Sequence, residues 1–357
     1  MCFEICAGHL HSIANVVNVV PGRRQTSVNH FAKFFSARVV DTNIEPHDPG
    51  HVVKACADIS RIAWHVESKH YLALQTSLPC PKSFAIPWDV SLPLPKEVSC
   101  CISSSTPYVL KRDGGSEGHD ITFVNSPEQV EECIAQVQEM ESALPFADER
   151  PISNWALQKY VDPPMVLKVD GLPYKFHVRA YVVAVRDQFS LWPVYEVRLA
   201  PHPLEDSLNF SDTRQHLTNG RSTNQRRRYL ASEFEDLDFL SEEMPLFVQT
   251  CLDLSKQPKL PAEFSSYLGR SCGYCSNEEL GSSGSTWNPI SVLALDIMIE
   301  YNKTLWLLEV NHSPSAPPPG AIDSHYCAHL CEFLFQTLSV SLNVECRGSP
   351  IQFSKVF

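Results

Sequence analysis

Leu293-Ala-Leu-Asp-Ile-Met-Ile-Glu-Tyr301, then Asn302-Lys303, then Thr304-Leu-Trp-Leu-Leu-Glu-Val-Asn311 reads as one β-hairpin. Alternation along the first strand puts Asp296, Met298 and Glu300 on one face. Asn302-Lys303 is expected to form a two-residue turn, and that register sets Asp296 directly opposite Glu309. Asn311, two residues on, shares the face. Opposed carboxylates on paired strands sit about 5 Å apart and repel. A hard divalent cation with oxygen ligands relieves that repulsion, and Mg²⁺ commonly uses one or two carboxylates together with substrate phosphates. The stretch Leu293 to Ser315 is therefore expected to hold Mg²⁺ through Asp296, Glu309 and Asn311.

Outward from this hairpin, a second one stands earlier in the chain. Tyr108-Val-Leu-Lys111 reads as a strand, Asp113 to Gly118 as a Gly-rich turn and Ile121 to Val124 as the return strand. Gly114, Gly115 and Gly118 allow backbone N–H groups close to phosphate oxygens, with Lys111 as a point charge. No phosphate-loop or dinucleotide fingerprint is present, because a strand rather than a helix follows the glycines.

Glu128 to Leu144 has helical periodicity behind Ser126-Pro127. Trp155 to Val161 reads as a short strand ended by Pro163-Pro164. Residues 174–199 read as two long apolar strands broken near Asp187-Gln188. Helices are expected over His51–Leu74 and Asp323–Leu342, with residues 90–106 a connection and 200–290 irregular. This is α+β or mixed α/β organisation with antiparallel pairs.

The 357 residues are 43% hydrophobic and 20% charged, enough apolar material for more than one core. No apolar run is long enough to span a bilayer, and Met1 to Pro21 lacks a basic leader region, so the expected setting is cytoplasmic. Thirteen scattered cysteines read as free thiols, and Cys272-Gly-Tyr-Cys275 lacks the second pair that a zinc site needs. The net charge of −12 argues against nucleic acid. Residues 151–230 nevertheless carry eleven Lys/Arg against seven Asp/Glu, whereas 231–280 carry three against ten. A basic stretch inside an acidic chain suggests one surface that meets anions.

Together these pieces resemble the tubulin tyrosine ligase-like family, from about Val28 to Ser315. Trp306-Leu-Leu-Glu-Val-Asn-His-Ser-Pro-Ser315, with Ala294-Leu-Asp296 before it, is the most specific match. Asn311-His312-Ser313 is similar to the polyglutamylase branch. Val28-Asn-His-Phe31, Pro81-Lys-Ser-Phe-Ala-Ile-Pro87, Tyr108 to Lys111 with the Gly-rich turn, Gln158-Lys-Tyr-Val161, Lys175-Phe-His-Val-Arg179, Val197-Arg198 and Gln215-His-Leu-Thr-Asn219 follow in the family's order.

The resemblance implies an ATP-grasp fold with antiparallel sheets in central and C-terminal lobes. The implied layout is an irregular 1–27, an N-terminal lobe 28–95, a central lobe 96–165 and a C-terminal lobe 166–345. It implies an ATP- and Mg²⁺-dependent ligase that forms an amide bond, through an acyl-phosphate, on a protein tail. Lys111, Gly115 and Gly118 would meet phosphates, Gln158, Lys159, Tyr160 and Val161 the adenine, Lys175 the nucleoside and Thr218 the amino-acid side. Arg179, Arg198 and Glu309 would be catalytic, with Asp296, Glu309 and Asn311 holding metal. Partners would be tubulin or another protein with an acidic tail and a free amino acid, glutamate favoured. The chain would act as a monomer near microtubules, without nucleic acid or membrane. Arg221 and Arg226-Arg-Arg228 are candidates to contact the acidic tail.

The chain departs from the family at Lys111-Arg112, where Lys-Pro is usual, at Gly118-His119-Asp120-Ile121, where Gly-Arg-Gly-Ile is usual, and at His177, which replaces an Asp. No N-terminal lysine completing the cation set can be picked out by pattern. These departures leave two further readings open: a catalytically weakened nucleotide- or tubulin-binding member, and a ligase with a non-tubulin acceptor.

Overall fold

Two antiparallel sheets carry the architecture of this computed structural model. It describes residues 69–74, 77–86, 94–102, 107–112, 121–142, 154–185, 188–206, 209–218, 227–255 and 290–312, with Tyr326, His329, Leu330 and Phe333. The described elements begin with α1 (Lys69–Leu74) and β1 (Ser83–Ile86), then α2 (Lys96–Cys101), β2 (Tyr108–Arg112), β3 (Ile121–Val124), α3 (Pro127–Ser142) and β4 (Trp155–Lys159). The larger sheet follows as β5 (Val166–Val169), β6 (Leu172–Val185), β7 (Gln188–Leu191), β8 (Glu196–Leu199) and β9 (Arg228–Leu230). After α4 (Leu240–Ser255) come β10 (Ile290–Ile299) and β11 (Leu305–His312).

The smaller sheet has the order β1-β4-β2-β3. Its apolar face takes α3, whose Val130 and Ile134 are buried against Leu110, Val124 and Leu157. Each such side chain contributes about 1.5–3 kcal/mol relative to exposure. The helix starts where its sequence says it should. Ser126 Oγ accepts the Gln129 N–H at 3.3 Å, the Gln129 side chain returns to the Asn125 N–H at 2.9 Å, and Pro127 fills the first helical position.

The larger sheet runs β11-β10-β6-β8-β9, with β5 and β7 also paired to β6. Asp170 (φ 53) and Gly171 (φ 81) turn β5 into β6, both in the left-handed region that a tight hairpin needs. Residues 174–199 are not two long strands. β6 is one strand of 14 residues, and the return is split at Trp192–Tyr195 so that β7 pairs with Val182–Val185 and β8 with Phe176–Arg179. Residues 90–106 are not only a connection, because α2 lies within them. Nor is 200–290 wholly irregular. α4 buries Leu240, Met244, Val248 and Cys251 in the core of the larger sheet, a three-to-four residue spacing that packs one helix face.

The C-terminal hairpin corrects the expected turn. The Glu300 N–H donates to the Thr304 carbonyl at 2.9 Å and the Lys303 N–H to the Glu300 carbonyl at 2.8 Å. The loop is thus Tyr301-Asn302-Lys303, with Lys303 at φ 70. Pairing runs Ile299 with Leu305, Met298 with Trp306 and Ile297 with Leu307, then shifts to Asp296 with Glu309. Leu308 is the extra, bulged residue. Of the expected helices, α1 and the helical residues Tyr326, His329, Leu330 and Phe333 fall within the described residues.

Candidate active site

Four adjacent strands of the larger sheet line up charged residues as cross-strand partners. Glu309 on β11 faces Asp296 on β10, Asp296 faces Arg179 on β6, and Arg179 faces Glu196 on β8. In the neighbouring row, His177 faces Arg198 and Arg198 faces Arg228. Period-two alternation along β6 sends Lys175, His177 and Arg179 to one side of the sheet.

Contacts tie these rows together. Arg179 donates to Asp296 through Nε at 2.6 Å and Nη2 at 2.7 Å. Asn311 Nδ2 reaches Asp296 at 3.2 Å and Glu309 at 3.3 Å. Lys69 Nζ lies 3.9 Å from Glu309. Arg198 donates to Glu196 through Nε at 2.8 Å and Nη2 at 3.0 Å, and Arg228 Nη1 donates to it at 2.6 Å. His177 Nδ1 pairs with Thr218 Oγ1 at 2.5 Å. Its Nε2 stands 3.6 Å from Asp296 with no hydrogen-bond partner among the described residues.

The electrostatics follow from burial set against these partners. Burial works to raise the Asp296 carboxyl, but the Arg179 guanidinium outweighs it and holds the group well below the usual carboxylate range. Glu309 goes the other way: burial first, then the charge of Asp296, raise it. Two carboxylates facing each other share too little positive charge. Glu196, opposed by burial but gripped by Arg198 and Arg228, falls to about 2. Burial, reinforced by Arg198 and Arg179, lowers His177 to about 3 despite Asp296, so the ring is neutral at physiological pH.

Between the two sheets lies an open cleft lined by residues of both. Val109, Ile121, Phe123, Tyr160, Val161, Met298 and Leu308 give it an apolar end. Two buried lysines face it. Lys111 Nζ donates to Gln158 Oε1 at 2.7 Å, and Gln158 Nε2 donates to Ser83 Oγ at 3.3 Å. Lys175 Nζ sits over the Tyr160 ring at 4.1 Å. Burial lowers Lys111 to about 8 and, with help from Lys111, lowers Lys175 to about 7. Neither ammonium meets a carboxylate within 4.0 Å among the described residues. Buried cations without a paired anion are costly, and an anionic ligand in the cleft removes that cost.

Phe123 stacks on Phe210 at 4.6 Å, and Tyr160 packs edge-on to Phe210 at 5.2 Å. The Tyr160 hydroxyl pairs with His216 Nδ1 at 3.0 Å, and His216 Nε2 with the Asn209 carbonyl at 2.7 Å. These contacts hold segment 209–218, and with it Thr218, against the smaller sheet.

The tubulin-tyrosine ligase family model matches residues 96–348. The chain belongs to the tubulin-tyrosine ligase family. The matched stretch contains the cleft-lining residues from Val109 to Glu309. Tubulin-tyrosine ligase family members have an ATP-grasp-like fold and are ATP-dependent ligases that form amide bonds on tubulin or other proteins, in general with ATP and Mg²⁺. An ATP-grasp-like fold of mixed α and β elements with antiparallel sheets is what the sequence led us to expect.

Placed in this family member's cleft, the expected residues separate as follows. Lys111, Gln158, Lys159, Tyr160, Val161, Lys175, Thr218, Asp296 and Glu309 line it. Arg179 and Asn311 adjoin it through Asp296 and Glu309, and Arg198 through its cross-strand partner His177. Gly115, Gly118, His119, Asp120, Arg221, Arg226, Cys272 and Cys275 lie outside the described residues. Arg228 is not free to meet an acidic tail, because its side chain is buried on Glu196. Arg227 packs over the Tyr174 ring at 4.8 Å.

Three residues were missed. Lys69 is a cation that no pattern revealed, and only the fold brings its Nζ to 3.9 Å from Glu309. Glu196 could have been found by its position two residues before Arg198 on the same strand. His216 had no signal beyond lying near Thr218.

The donor set fits a hard cation. Asp296 and Glu309 offer carboxylate oxygens close enough together for the Asn311 Nδ2 amide to reach both, and Asn311 would present its own oxygen there once its carboxamide is turned over. The raised Glu309 carboxyl marks a local shortage of positive charge. Asp296 Oδ1 accepts one hydrogen bond from Arg179 and keeps a second lone pair, whereas Oδ2 accepts from both Arg179 and Asn311.

Proposed function

We propose that this tubulin-tyrosine ligase family member is a Mg²⁺- and ATP-dependent ligase that joins an amino acid, glutamate favoured, to the acidic tail of tubulin or a similar protein. The observation that carries the reading is the charge row Glu309–Asp296–Arg179–Glu196, whose Asp296 and Glu309 line a cleft that also holds two buried lysines with no carboxylate within 4.0 Å among the described residues.

The reaction has two steps. A carboxylate oxygen attacks the γ-phosphorus of ATP, ADP leaves and an acyl-phosphate forms. An amine then attacks the acyl carbon, phosphate leaves and the amine gives up a proton. Both steps concentrate negative charge, so cations fixed in advance where it develops lower the barrier. Lys111 contacts the α- and β-phosphates. Gln158 to Val161 hold the adenine against the apolar end, and Lys175 reaches the nucleoside. Arg179 and Arg198 neutralise the γ-phosphate and the acyl-phosphate. Thr218, held by His177, lines the amino-acid side. Asp296, Glu309 and Asn311 would hold Mg²⁺, which supplies charge neutralisation at the phosphate oxygens when bound. We place the activity in the cytoplasm near microtubules, in a monomer whose central and C-terminal lobes, 96–165 and 166–345, meet at the cleft.

The test is incorporation of labelled glutamate into tubulin by the full chain with ATP and Mg²⁺. Incorporation that disappears in Glu309→Gln is expected. Nucleotide binding with no incorporation of any amino acid into tubulin or cell-extract proteins would contradict the ligase reading. That result would favour the second reading, a nucleotide-binding member without turnover. His177 motivates it, since a neutral imidazole stands beside Asp296 where the family carries a carboxylate.

A further inference from the structure

Arg228 has no role above and Glu196 only a place in the charge row, yet among the described residues they form the most heavily paired carboxylate site near the cleft. Glu196 is fully buried. It accepts three hydrogen bonds from two arginines, at 2.8 and 3.0 Å from Arg198 and at 2.6 Å from Arg228, with the Tyr181 hydroxyl at 3.4 Å. One carboxylate needs one counter-charge. Two guanidiniums on it leave a surplus positive charge next to the cleft.

The two arginines are not equivalent. Arg198 lies on β8 with His177, a cleft-lining residue, as its partner on β6. Arg228 lies on β9, one strand further out, at the edge of the sheet order. Arg179, the other arginine beside the cleft, is committed to Asp296 through Nε and Nη2. To offer its Nε–Nη2 edge to a phosphoryl group, Arg198 must give up its hydrogen bonds to Glu196. Were Arg198 its only partner, that exchange would strand a buried carboxylate, which is strongly disfavoured. Arg228 makes the shortest of the three bonds and keeps the carboxylate paired throughout.

We infer that Arg228 is a positioning residue: it retains Glu196 so that Arg198 can release it and turn to a terminal phosphoryl group in the cleft. The inference rests on the reading of Arg198 as a phosphate contact. A purely structural Arg228 makes a different prediction, which separates the two. If Arg228 acts by occupying Glu196, its loss is repaired by removing the charge of Glu196. If it acts only as packing, the second change adds damage.

The experiment is calorimetric titration of the full chain with Mg²⁺ and the non-hydrolysable β,γ-imido analogue of ATP, and separately with Mg²⁺ and ADP. Arg228→Met is expected to weaken the triphosphate analogue about tenfold and leave ADP within about twofold. Arg228→Met combined with Glu196→Gln is expected to return to within about threefold of the wild type. Glu196→Gln alone keeps Arg228 and is expected to bind the analogue at least as tightly as the wild type, which tests the inference even if Arg228→Met does not fold. A folded Arg228→Met chain that binds like the wild type overturns the inference, as does a double variant no better than the single one or a weakened Glu196→Gln. A wild-type chain that binds neither nucleotide overturns the nucleotide-site reading, and this inference with it.

Discussion

Asp296 and Glu309 face each other across β10 and β11 because Leu308 is bulged out of the pairing. The three-residue loop Tyr301–Lys303 alone would have set Leu308 opposite Asp296 and turned Glu309 toward the other face. The bulge restores the opposition and lets Leu308 and Glu309 both line the cleft. Bulges recur next to active sites because they re-aim one side chain without disturbing the rest of a strand.

In ligand-free protein this opposition is unfavourable. Glu309→Gln removes a buried carboxylate that burial and Asp296 both oppose. The variant should melt about 2–4 °C higher than the wild type without metal, and lose the upward shift that Mg²⁺ gives the wild type. Differential scanning calorimetry with and without Mg²⁺ checks both. A variant that melts lower than the wild type without metal contradicts this account of Glu309.

Arg179 should behave in the opposite way. Arg179→Met leaves Asp296 buried without its guanidinium. Breaking a buried pair at one end costs about 3–5 kcal/mol, and urea unfolding should show a loss of that order. A loss below about 1 kcal/mol would mean that solvent or another cation already serves Asp296.

Glu196 gives a pH prediction. Its carboxyl is held at about 2, against a usual value of 4.5. A carboxyl depressed by folding adds stability that is present above 4.5 and lost as pH falls toward 2. The shift corresponds to about 3 kcal/mol. Between pH 5 and pH 2, in about the range of those two values, the wild type should lose stability more steeply than Glu196→Gln by about that amount. Parallel acid-unfolding curves would contradict it.

Lys175 gives a second. Burial holds its ammonium near 7 in the ligand-free protein, and an anionic ligand restores the charge. Nucleotide binding at pH 8 should therefore take up protons, and affinity should fall as pH rises above about 7. Calorimetry in buffers of different ionisation enthalpy measures the uptake, which should shrink in Lys175→Met. No uptake in the wild type would place the triphosphate away from Lys175.

Much of this was legible from local pattern. β2, β3, β4 and α3 follow from alternation, glycine placement and the Ser126-Pro127 start, because each signal is contained in a few neighbouring residues. The facing carboxylates were also legible, although by a turn that proved one residue short. Two errors, in loop length and in bulge, compensated. Neither α4 nor Lys69 was found. In α4 the spacing Leu240, Met244, Val248, Cys251 was present, but the acidic start and Pro245 obscured it. Lys69 reaches the site only through long-range packing that no local pattern encodes. Arg228 misled because a run of three arginines looks like a solvated loop until strand pairing buries its last member on Glu196.

The central claim is that Asp296, Glu309 and Asn311 hold a divalent cation together with a nucleotide in the cleft. Calorimetric titration of ATP into the full chain, with and without Mg²⁺, and into Glu309→Gln with Mg²⁺, tests it most directly. The account predicts binding in the first case and at least about tenfold weaker binding in the other two. Equal affinity in all three would contradict it.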